Sequence, residues 1–378
     1  GGSLDMRGNY RLRKFLAGGS SLTEAHFADG GALEHVGYPT TTSYIELKNL
    51  DKLTNDHCKT EACAPNVMSY FVSGCDNLQP VKMLTAIMDA QVGQIPHALR
   101  YIRCVGFNET FTDGRMFDKL SQLVDGTYQG IDAEGQYGND PYPVLDGTIN
   151  LTTGAYRDTY DALMTHYPKL KLNIAKWWIR FEDPEVKRIC VENWDKDGDG
   201  ELSMDEAAQV SSIGTLFTNN SRITSFDEFK YFTGIRNSEI GIFDKCSKLK
   251  SISLPDRFLL THTMFTSCTS LEAVTFSAKM GPSEKELYET FARCTSLKVL
   301  DFPETFTGII NSGTFREVTA NLIFRSKTVV KFKRYADWMF YYKGHGIYVP
   351  DNLVESYKTA DGWKDQKACI KPLSKYHG

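Results

Sequence analysis

The chain lacks the features of a membrane-spanning or nucleic-acid-binding protein. No apolar run approaches the roughly 20 residues that a spanning helix needs. Its 43 basic and 47 acidic residues leave a formal charge of −4, and its isoelectric point is near 6.1. This balance provides no general attraction for nucleic acid or for an anionic membrane. We therefore expect no nucleic-acid partner and no membrane span in this chain.

The chain also lacks the sequence motifs of common enzyme classes. It contains no Gly-rich phosphate loop, no HExxH pair and no nucleophile elbow. Its eight histidines are scattered, and His166, beside Tyr167, is better interpreted as a surface or core residue than as a general base. Carboxylate pairs that cleave glycosides are assembled in space, so one sequence neither reveals nor excludes them. We predict that the chain is not an enzyme and has no catalytic residues.

The nine cysteines follow neither a disulfide framework nor a zinc-site pattern, and their number is odd. Cys246, Cys268 and Cys294 recur at matching places in similar segments, which indicates small buried residues of a repeat. A second group lies close enough in sequence to pair or to bind a metal, but without CxxC spacing we favour free or partly buried thiols. This group is Cys58, Cys63 and Cys75.

Three segments align without gaps and share one repeat pattern. They are IFDKCSKLKSISLPD from Ile242, MFTSCTSLEAVTFSA from Met264 and TFARCTSLKVLDFPE from Thr290, and a degenerate fourth copy begins at Thr314. Each has Phe, two residues, Cys, two residues, Leu and then an alternating apolar stretch. The cysteines are 22 and then 26 residues apart, which lies in the leucine-rich repeat range. One such strand cannot bury its apolar face alone, but stacked copies form a continuous parallel ladder, a solenoid.

The repeat pattern also predicts which residues point into the stack. Apolar residues after each Cys should face a shared core, and the Phe before each Cys should fill the back of its coil. The predicted core residues are Leu249, Ile252, Leu254, Leu271, Val274, Phe276, Leu297, Leu300 and Phe302. The predicted back residues are Phe243, Phe265 and Phe291.

These repeats and the closing segment, residues 347 to 376, resemble the BspA-like leucine-rich repeat proteins of gut and oral Bacteroidales. The resemblance covers residues 184 to 378. It implies a non-catalytic binding or adhesion module, at the cell surface or secreted, that recognises a protein or glycan partner. It also implies that the closing segment is a cap over the open end of the stack, where unpaired strand edges otherwise promote aggregation. The predicted cap residues are Val349, Tyr357, Trp363 and Ile370.

The first half of the chain has a more divergent pattern. Short apolar strands recur there about every 20 to 25 residues. Past Gly106 the pattern predicts a helix that contains Phe117 and Leu120, the strand GTINL, and a helix with Leu163 before a last strand. Such alternation implies parallel strands joined by right-handed crossovers. This half resembles leucine-rich proteins of gut bacteriophages, so a structural or host-recognition component of a phage particle is the alternative.

One stretch, NWDKDGDGELSMDEAA, crowds six carboxylates into the twelve positions from Asp195 to Glu206. Like charges about 5 Å apart repel by about 1 kcal/mol per pair in water, so a cation is expected to offset them. Asp stands at positions 1, 3 and 5, Gly at 6 and Glu at 12, which is the EF-hand ligand schedule for calcium. The side chain at position 7 is not needed, because its carbonyl is the ligand. The predicted calcium ligands are Asp195, Asp197, Asp199, Glu201, Ser203 and Glu206.

The surroundings of this loop indicate a structural role for calcium. Asp183 is a good N-cap, Pro184 suits the first helical position, and an apolar stripe follows, which predicts the entering helix. We find no second loop, because DAEGQYGND from Asp132 lacks the ligand positions, and the exit helix is short. A calcium sensor needs a pair of helices that opens when the ion binds, and this sequence does not supply one. We therefore expect the ion to stabilise the fold without a conformational change, as a structural staple. An acidic turn without metal is the plainer alternative.

Together these patterns predict an α/β leucine-rich repeat solenoid with parallel strands, in two repeat blocks joined by a helix and the EF-hand loop. The expected domains are residues 1–180, a divergent repeat block; 181–212, the helix and loop; 213–345, the BspA-like repeats; and 346–378, the cap. The aromatic segments KWWIRF and DWMFYYKGHG are interpreted as core or junction packing rather than as exposed platforms. The predicted partner-binding positions on the sheet face are Lys250, Ser253, Glu272, Thr275, Lys298 and Asp301.

The first residues of the chain give little information about the cellular location of the protein. The first residues lack the basic region, apolar region and cleavage site of a secretory signal. They already have the leucine spacing of a repeat, so we expect a fragment of a longer protein. The expected location at the cell surface, or outside the cell, therefore follows from the resemblance alone, and a virion is the alternative.

Overall fold

Short parallel strands recur through the parts of the chain that the computed structural model describes, residues 2–94, 97–112, 114–124, 143–235, 239–280, 286–311, 313–333 and 342–377. They belong to two compact units, Gly1–Trp177 and Trp178–Gly378, called unit 1 and unit 2. Each unit has its own buried core. No helix within the described residues is long and apolar enough to cross a membrane.

Unit 1 contains a seven-stranded sheet with the order β1-β3-β5-β7-β8-β9-β10 and a three-stranded sheet with the order β2-β4-β6. The pairs from β1 to β9 in the large sheet, and both pairs in the small one, are parallel. The strands are β1 Gly2–Met6, β2 Lys14–Leu16, β3 Leu22–Phe27, β4 His35–Gly37, β5 Tyr44–Lys48, β6 Cys58–Lys59, β7 Ser69–Ser73, β8 Tyr101–Phe111, β9 Val144–Tyr156 and β10 Lys171–Trp178. The helices are α1 Pro80–Ala90, α2 Met116–Gln122 and α3 Arg157–His166.

Both helices and both strands predicted past Gly106 are confirmed. Helix α2 buries Phe117 and Leu120, GTINL lies within β9, and α3 buries Leu163. Along a strand, every second side chain faces the core, as a half-buried sheet requires. In β5 the buried residues Ile45 and Leu47 alternate with partly buried or exposed neighbours. DAEGQYGND lies outside the described residues.

Helix α1 is fixed to the sheet by a buried carboxylate. Its first turn contains Pro80 at the start, and Gln79 before it makes no side-chain cap bond. Glu109 of β8 supplies that cap, since its carboxylate accepts hydrogen bonds from the backbone N–H of Val81 at 2.6 Å and of Lys82 at 3.0 Å. The side chain is only 2% exposed. A residue 28 positions away in sequence therefore satisfies the free N–H groups of the helix.

Unit 2 is built from shorter strands in three sheets, with orders β11-β12-β13, β14-β16-β18 and β15-β17-β19-β20. All pairs in these sheets are parallel. The strands are β11 Ser225–Phe226, β12 Ser251–Ser253, β13 Ala273–Thr275, β14 Glu286–Leu287, β15 Val299–Phe302, β16 Ile309–Asn311, β17 Asn321–Phe324, β18 Phe332–Lys333, β19 Ile347–Val349 and β20 Ile370–Pro372. The helices are α4 Pro184–Trp194, α5 Met204–Gln209 and α6 Val354–Thr359.

Two columns of repeated side chains run through the core of unit 2. Phe243, Phe265 and Phe291 are fully buried, and adjacent rings stack at centroid distances of 5.7 and 5.5 Å with interplanar angles of 3° and 16°. Phe315 of the fourth copy continues the column at 6.0 Å from Phe291. The predicted burial of these three rings is confirmed. Phe276 departs slightly, because it is only partly buried at the edge of the core.

The repeat cysteines form the second column. Each thiol is buried and donates a hydrogen bond of 3.0 Å to the backbone carbonyl of a phenylalanine in the preceding repeat. The pairs are Cys246 to Phe217, Cys268 to Phe243 and Cys294 to Phe265. A small residue with a weak donor suits this position, because a larger side chain would meet the neighbouring coil.

The remaining cysteines of interest lie in unit 1 as free thiols. Cys58, Cys63 and Cys75 are buried and unpaired, which confirms the prediction made for them. Burial raises the pKa of Cys58 and of Cys63 to about 12 and the pKa of Cys75 to about 11. These thiols are therefore protonated at neutral pH, which makes them poor nucleophiles.

The closing segment buries the residues predicted for the cap. Val349, Tyr357 and Trp363 are fully buried and Ile370 is 4% exposed. The Trp363 indole donates to the Val330 carbonyl at 2.7 Å, and the Tyr357 hydroxyl accepts from the Val330 N–H at 3.0 Å. These two bonds satisfy both backbone groups of one residue in the last repeat.

Candidate metal loop and sheet faces

The acidic loop lies between α4 and α5, as predicted from the capping pattern. The Asp183 carboxylate accepts from the N–H groups of Glu185 and Val186 and so caps α4. The loop then turns through Gly198 and Gly200 with φ of 72° and 82°, a backbone region that glycine adopts without strain. Asp195 holds this turn, because its carboxylate accepts from both glycine N–H groups at 2.8 and 2.9 Å.

Three predicted ligands converge within the loop. Asp195, Asp197 and Asp199 each place a carboxylate oxygen within 4.8 Å of the other two. Their negative charges repel at this separation, so a cation among them would relieve the repulsion. Hard carboxylate oxygens at this spacing fit Ca²⁺ in donor type.

Glu206, at position 12, is held by hydrogen bonds at both carboxylate oxygens, and it is not part of the cluster of three aspartates. Oε1 accepts from the Lys196 N–H at 2.9 Å, and Oε2 accepts from the Ser203 N–H at 2.9 Å and from its hydroxyl at 2.7 Å. The Ser203 hydroxyl in turn accepts from the Glu206 N–H at 3.1 Å, which completes a capping box at the start of α5. The side chain is 7% exposed.

Glu201, at position 7, turns its side chain away from the three aspartates. Its Oε1 accepts from Lys187 Nζ at 2.7 Å, so the carboxylate forms an ion pair with α4. Its Oε2 is buried and makes no hydrogen bond. This orientation leaves the backbone carbonyl as the group that position 7 offers to an ion, as the EF-hand schedule requires.

A strand segment ahead of α4 pairs with the end of the loop. The Ile179 N–H donates to the Leu202 carbonyl at 2.8 Å, and Trp178 forms an antiparallel bridge with Ser203. The Trp178 indole N–H also donates to Asp199 Oδ2 at 3.0 Å. Sequence reasoning interpreted KWWIRF as packing and missed this bond. The one signal in the sequence was the position of Trp178, next to the apolar Ile179 and shortly before a single acidic loop.

The predicted partner-binding positions of unit 2 form two rows. In the first row, Lys250 and Lys298 are exposed and Glu272 is partly exposed. Lys298 forms an ion pair with Glu272. This hydrogen-bonded ammonium, together with the nearby charge of Lys250, lowers the pKa of the Glu272 carboxyl. The row therefore carries alternating charge of fixed sign at neutral pH.

In the second row, two of the three predicted residues are bound by side chains that sequence reasoning missed. The Ser253 hydroxyl donates to Asp227 at 2.7 Å, and Asp301 accepts a bidentate pair of bonds from Arg325 at 2.7 and 2.8 Å. Thr275 is exposed and lies beside Ser253 in the sheet. Asp227 and Arg325 belong to segments outside the three aligned copies, so the repeat pattern gave no signal for them.

The predicted continuous ladder is wrong at one point in this face. Strands β12 and β13 belong to one sheet and β15 belongs to another. At the boundary the Lys298 N–H donates to the Glu272 carbonyl at 3.4 Å, which is a long hydrogen bond. The physical reason is the longer second spacing between the repeat cysteines, 26 residues instead of 22, whose extra chain includes β14.

Comparison with known proteins bears mainly on unit 2. Among solved structures, the crystal structure of the pneumococcal vaccine antigen PcpA is similar at 12% identity, covering 98% of this chain and 77% of that chain, with a TM-score of 0.26. A TM-score this low does not establish a shared fold. No curated protein sequence matches the chain. Residues 212–343, about a third of the chain, match the family model of the BspA type leucine rich repeat region in six copies.

Proposed function

We propose that the chain is a non-catalytic binding or adhesion module, displayed at the cell surface or secreted, whose unit 2 sheet face contacts a protein or glycan partner. The observation that carries this proposal is the match of residues 212–343 to BspA-type leucine rich repeats. Stacked repeats of this kind form a solenoid, which offers a broad surface rather than a deep pocket. The parallel strands of unit 2 and its stacked phenylalanines support such a stack.

The partner surface proposed for unit 2 consists of the two rows described above, Lys250 with Glu272 and Lys298, and Ser253 with Thr275 and Asp301. Alternating charges and hydroxyl groups complement a polar partner surface whose charges are of opposite sign at the facing positions. Rim charges of this kind act mainly on the rate of association.

A double charge reversal tests this surface. Lys250→Glu with Lys298→Glu is expected to slow association with a captured partner roughly tenfold or more, because complementary charges become repulsive. The measurement is adhesion of protein-coated beads to immobilised mucin, immobilised fibronectin and cultured epithelial cells, followed by binding kinetics on the surface that retains the beads.

The matched control for the charge reversal is Lys279→Glu with Lys327→Glu. Both of these lysines are highly exposed and each forms an ion pair with a carboxylate outside the two rows. The control changes the net charge by the same amount, so it removes general electrostatics as the cause. Equal binding by the face variant and the control variant would contradict the proposed surface.

We further propose that the loop from Asp195 to Glu206 binds Ca²⁺ and stabilises unit 2. The three clustered aspartates support this proposal. Calcium bound there would supply positive charge that offsets the carboxylates, while the protein fixes the loop through Ser203 and Trp178. Because there is one loop and α5 is short, the ion acts as a staple rather than as a switch.

A thermal melt in calcium and in chelator tests the staple. At ten times the dissociation constant, bound calcium adds about 1.4 kcal/mol to the free energy of unfolding. For a unit of this size, that raises Tm by about 3 to 6 °C. Glu206→Gln is expected to abolish the shift, whereas Asp205→Asn, an exposed neighbour outside the ligand set, should retain it. A wild-type Tm that is the same in both solutions would refute the staple.

A further inference from the structure

Two histidine rings lie against each other on the small sheet of unit 1. His35 is the first residue of β4, and His57 immediately precedes β6. Their ring centroids are 4.1 Å apart, and the angle between the ring planes is 53°. The two strands pair in parallel with Val36 beside Cys58, so the histidines occupy facing positions one residue earlier. The rings therefore meet across adjacent strands of a hydrogen-bonded sheet.

The backbone that carries the two rings is anchored by buried neighbours. Val36 and Cys58, which follow the histidines, are buried in the core. Side chains alternate along a strand, so the histidines point to the opposite side, where His57 is exposed and His35 is partly exposed. The His57 N–H also donates to the Thr54 carbonyl at 3.0 Å. Two side chains on such a fixed backbone form a preorganised pair that is open to solvent.

The Thr54 side chain orients the His57 ring. Its hydroxyl oxygen lies 3.2 Å from His57 Nδ1. Thr54 precedes the short 3₁₀ helix Asn55–His57 but makes no side-chain capping bond, so the hydroxyl contacts the imidazole instead. With Nδ1–H donating to this hydroxyl, Nε2 keeps its lone pair for a metal ion. A hydrogen bond at the second ring nitrogen is the usual support of a metal-binding histidine.

The separation of the two rings suits a shared metal ion. Imidazole nitrogens bind Zn²⁺ at about 2.0 to 2.1 Å, so two of them on adjacent positions of one ion place their ring centroids about 4.5 to 5 Å apart. Small side-chain rotations cover the difference from the observed 4.1 Å. Among the described residues, no third histidine, cysteine or carboxylate joins the pair in a cluster of ligand atoms. Water on the solvent side can fill the remaining coordination positions.

The charges beside the pair select against hard cations. Lys14 of β2 pairs with His35 in register, and Lys59 follows His57 by two positions, so both lysines flank the pair on the same face. Their ammonium groups repel any cation and therefore limit its affinity. Ca²⁺ and Mg²⁺ bind oxygen ligands and gain nothing here that offsets this repulsion, whereas imidazole nitrogens suit Ni²⁺, Cu²⁺ and Zn²⁺.

We propose that His35 and His57 together bind one divalent transition-metal ion through a nitrogen of each ring. Once one imidazole is bound, the second bond is intramolecular, so the pair should bind roughly a hundredfold more tightly than a single exposed histidine. The bound ion cross-links β4 and β6. The site lies in unit 1, and it depends neither on the calcium loop nor on the partner surface proposed for unit 2.

Calorimetric titration of the untagged protein with Ni²⁺, in a buffer that contains Ca²⁺, tests this site. Wild type is expected to bind Ni²⁺, and His35→Gln and His57→Gln should each raise the dissociation constant roughly tenfold or more, because one imidazole remains. Thr54→Val keeps the shape of the side chain but removes the support of Nδ1, and it should weaken binding roughly tenfold. Lys14→Gln should strengthen binding, because it removes a repelling charge.

A matched control and a spectroscopic readout complete the test. His166→Gln changes an exposed histidine elsewhere in unit 1 and should leave the Ni²⁺ affinity unchanged. Electron paramagnetic resonance of bound Cu²⁺ should show coupling to two imidazole nitrogens in wild type. Absence of Ni²⁺ binding, an affinity that survives both His35→Gln and His57→Gln, or a Cu²⁺ spectrum with one coupled nitrogen would each overturn the proposal.

Discussion

Phe265→Ala is expected to lower the free energy of unfolding of unit 2 by about 3 to 5 kcal/mol, the usual cost of removing a buried phenylalanine. Phe265 is fully buried between Phe243 and Phe291, with nearly parallel rings on both sides. Truncation leaves a cavity that the neighbouring coils cannot close, because each coil is held in the stack by hydrogen bonds such as that from Cys294 to the Phe265 carbonyl. Urea unfolding monitored by circular dichroism measures the change.

Two further variants show whether the ring column carries this stability. Phe265→Leu retains part of the volume and should cost clearly less than Phe265→Ala. Leu216→Ala, at a side chain that is 43% exposed, should change stability by no more than about 0.5 kcal/mol. A loss below about 1 kcal/mol for Phe265→Ala would mean that the column is not a principal part of the core.

Glu109 is expected to make unit 1 less stable as the pH rises from about 4.5 to about 7. Burial raises the pKa of this carboxyl from 4.5 to about 7, against the two backbone N–H bonds that lower it. The folded state therefore holds a proton that the unfolded state has already released in this range. Stability is full below the unfolded pKa and is lost as the pH rises through the folded pKa. The total loss is about 3 kcal/mol, at about 1.4 kcal/mol per pKa unit.

Glu109→Gln isolates this effect, since glutamine has nearly the same shape and does not titrate. The free energy of unfolding of wild type and of Glu109→Gln is measured in urea at pH 5 and pH 7.5. The value for wild type minus the value for the variant should fall as the pH rises. Glu61→Gln, at an exposed side chain, should show no such shift. A difference for Glu109→Gln that is constant with pH would contradict a raised pKa at this site.

The local features of unit 2 could be predicted from the sequence because repetition reveals them. The Phe and Cys columns recur at fixed offsets, so one alignment places Phe243, Phe265 and Phe291 in equivalent environments. The α4 cap at Asp183 is likewise a short-range signal, since the capping residue and the N–H groups that it binds lie within three positions. Such features depend on neighbours in sequence.

Other features depend on residues that are distant in sequence and could not be predicted. Glu109 caps a helix 28 positions upstream, and the Trp178 indole reaches Asp199 across 21 positions. The alignment of Glu46, Phe71 and Arg103 across β5, β7 and β8 likewise depends on the register of three strands, which a divergent repeat does not specify.

Immunogold labelling with an antibody to this chain, on intact producing cells and on virus particles from the same culture, tests the proposed function most directly. Display of a binding module at the surface predicts gold on the envelope of unpermeabilised cells, with unlabelled particles. Gold only after permeabilisation, or gold on particles with bare cells, would contradict a surface binding module of the cell.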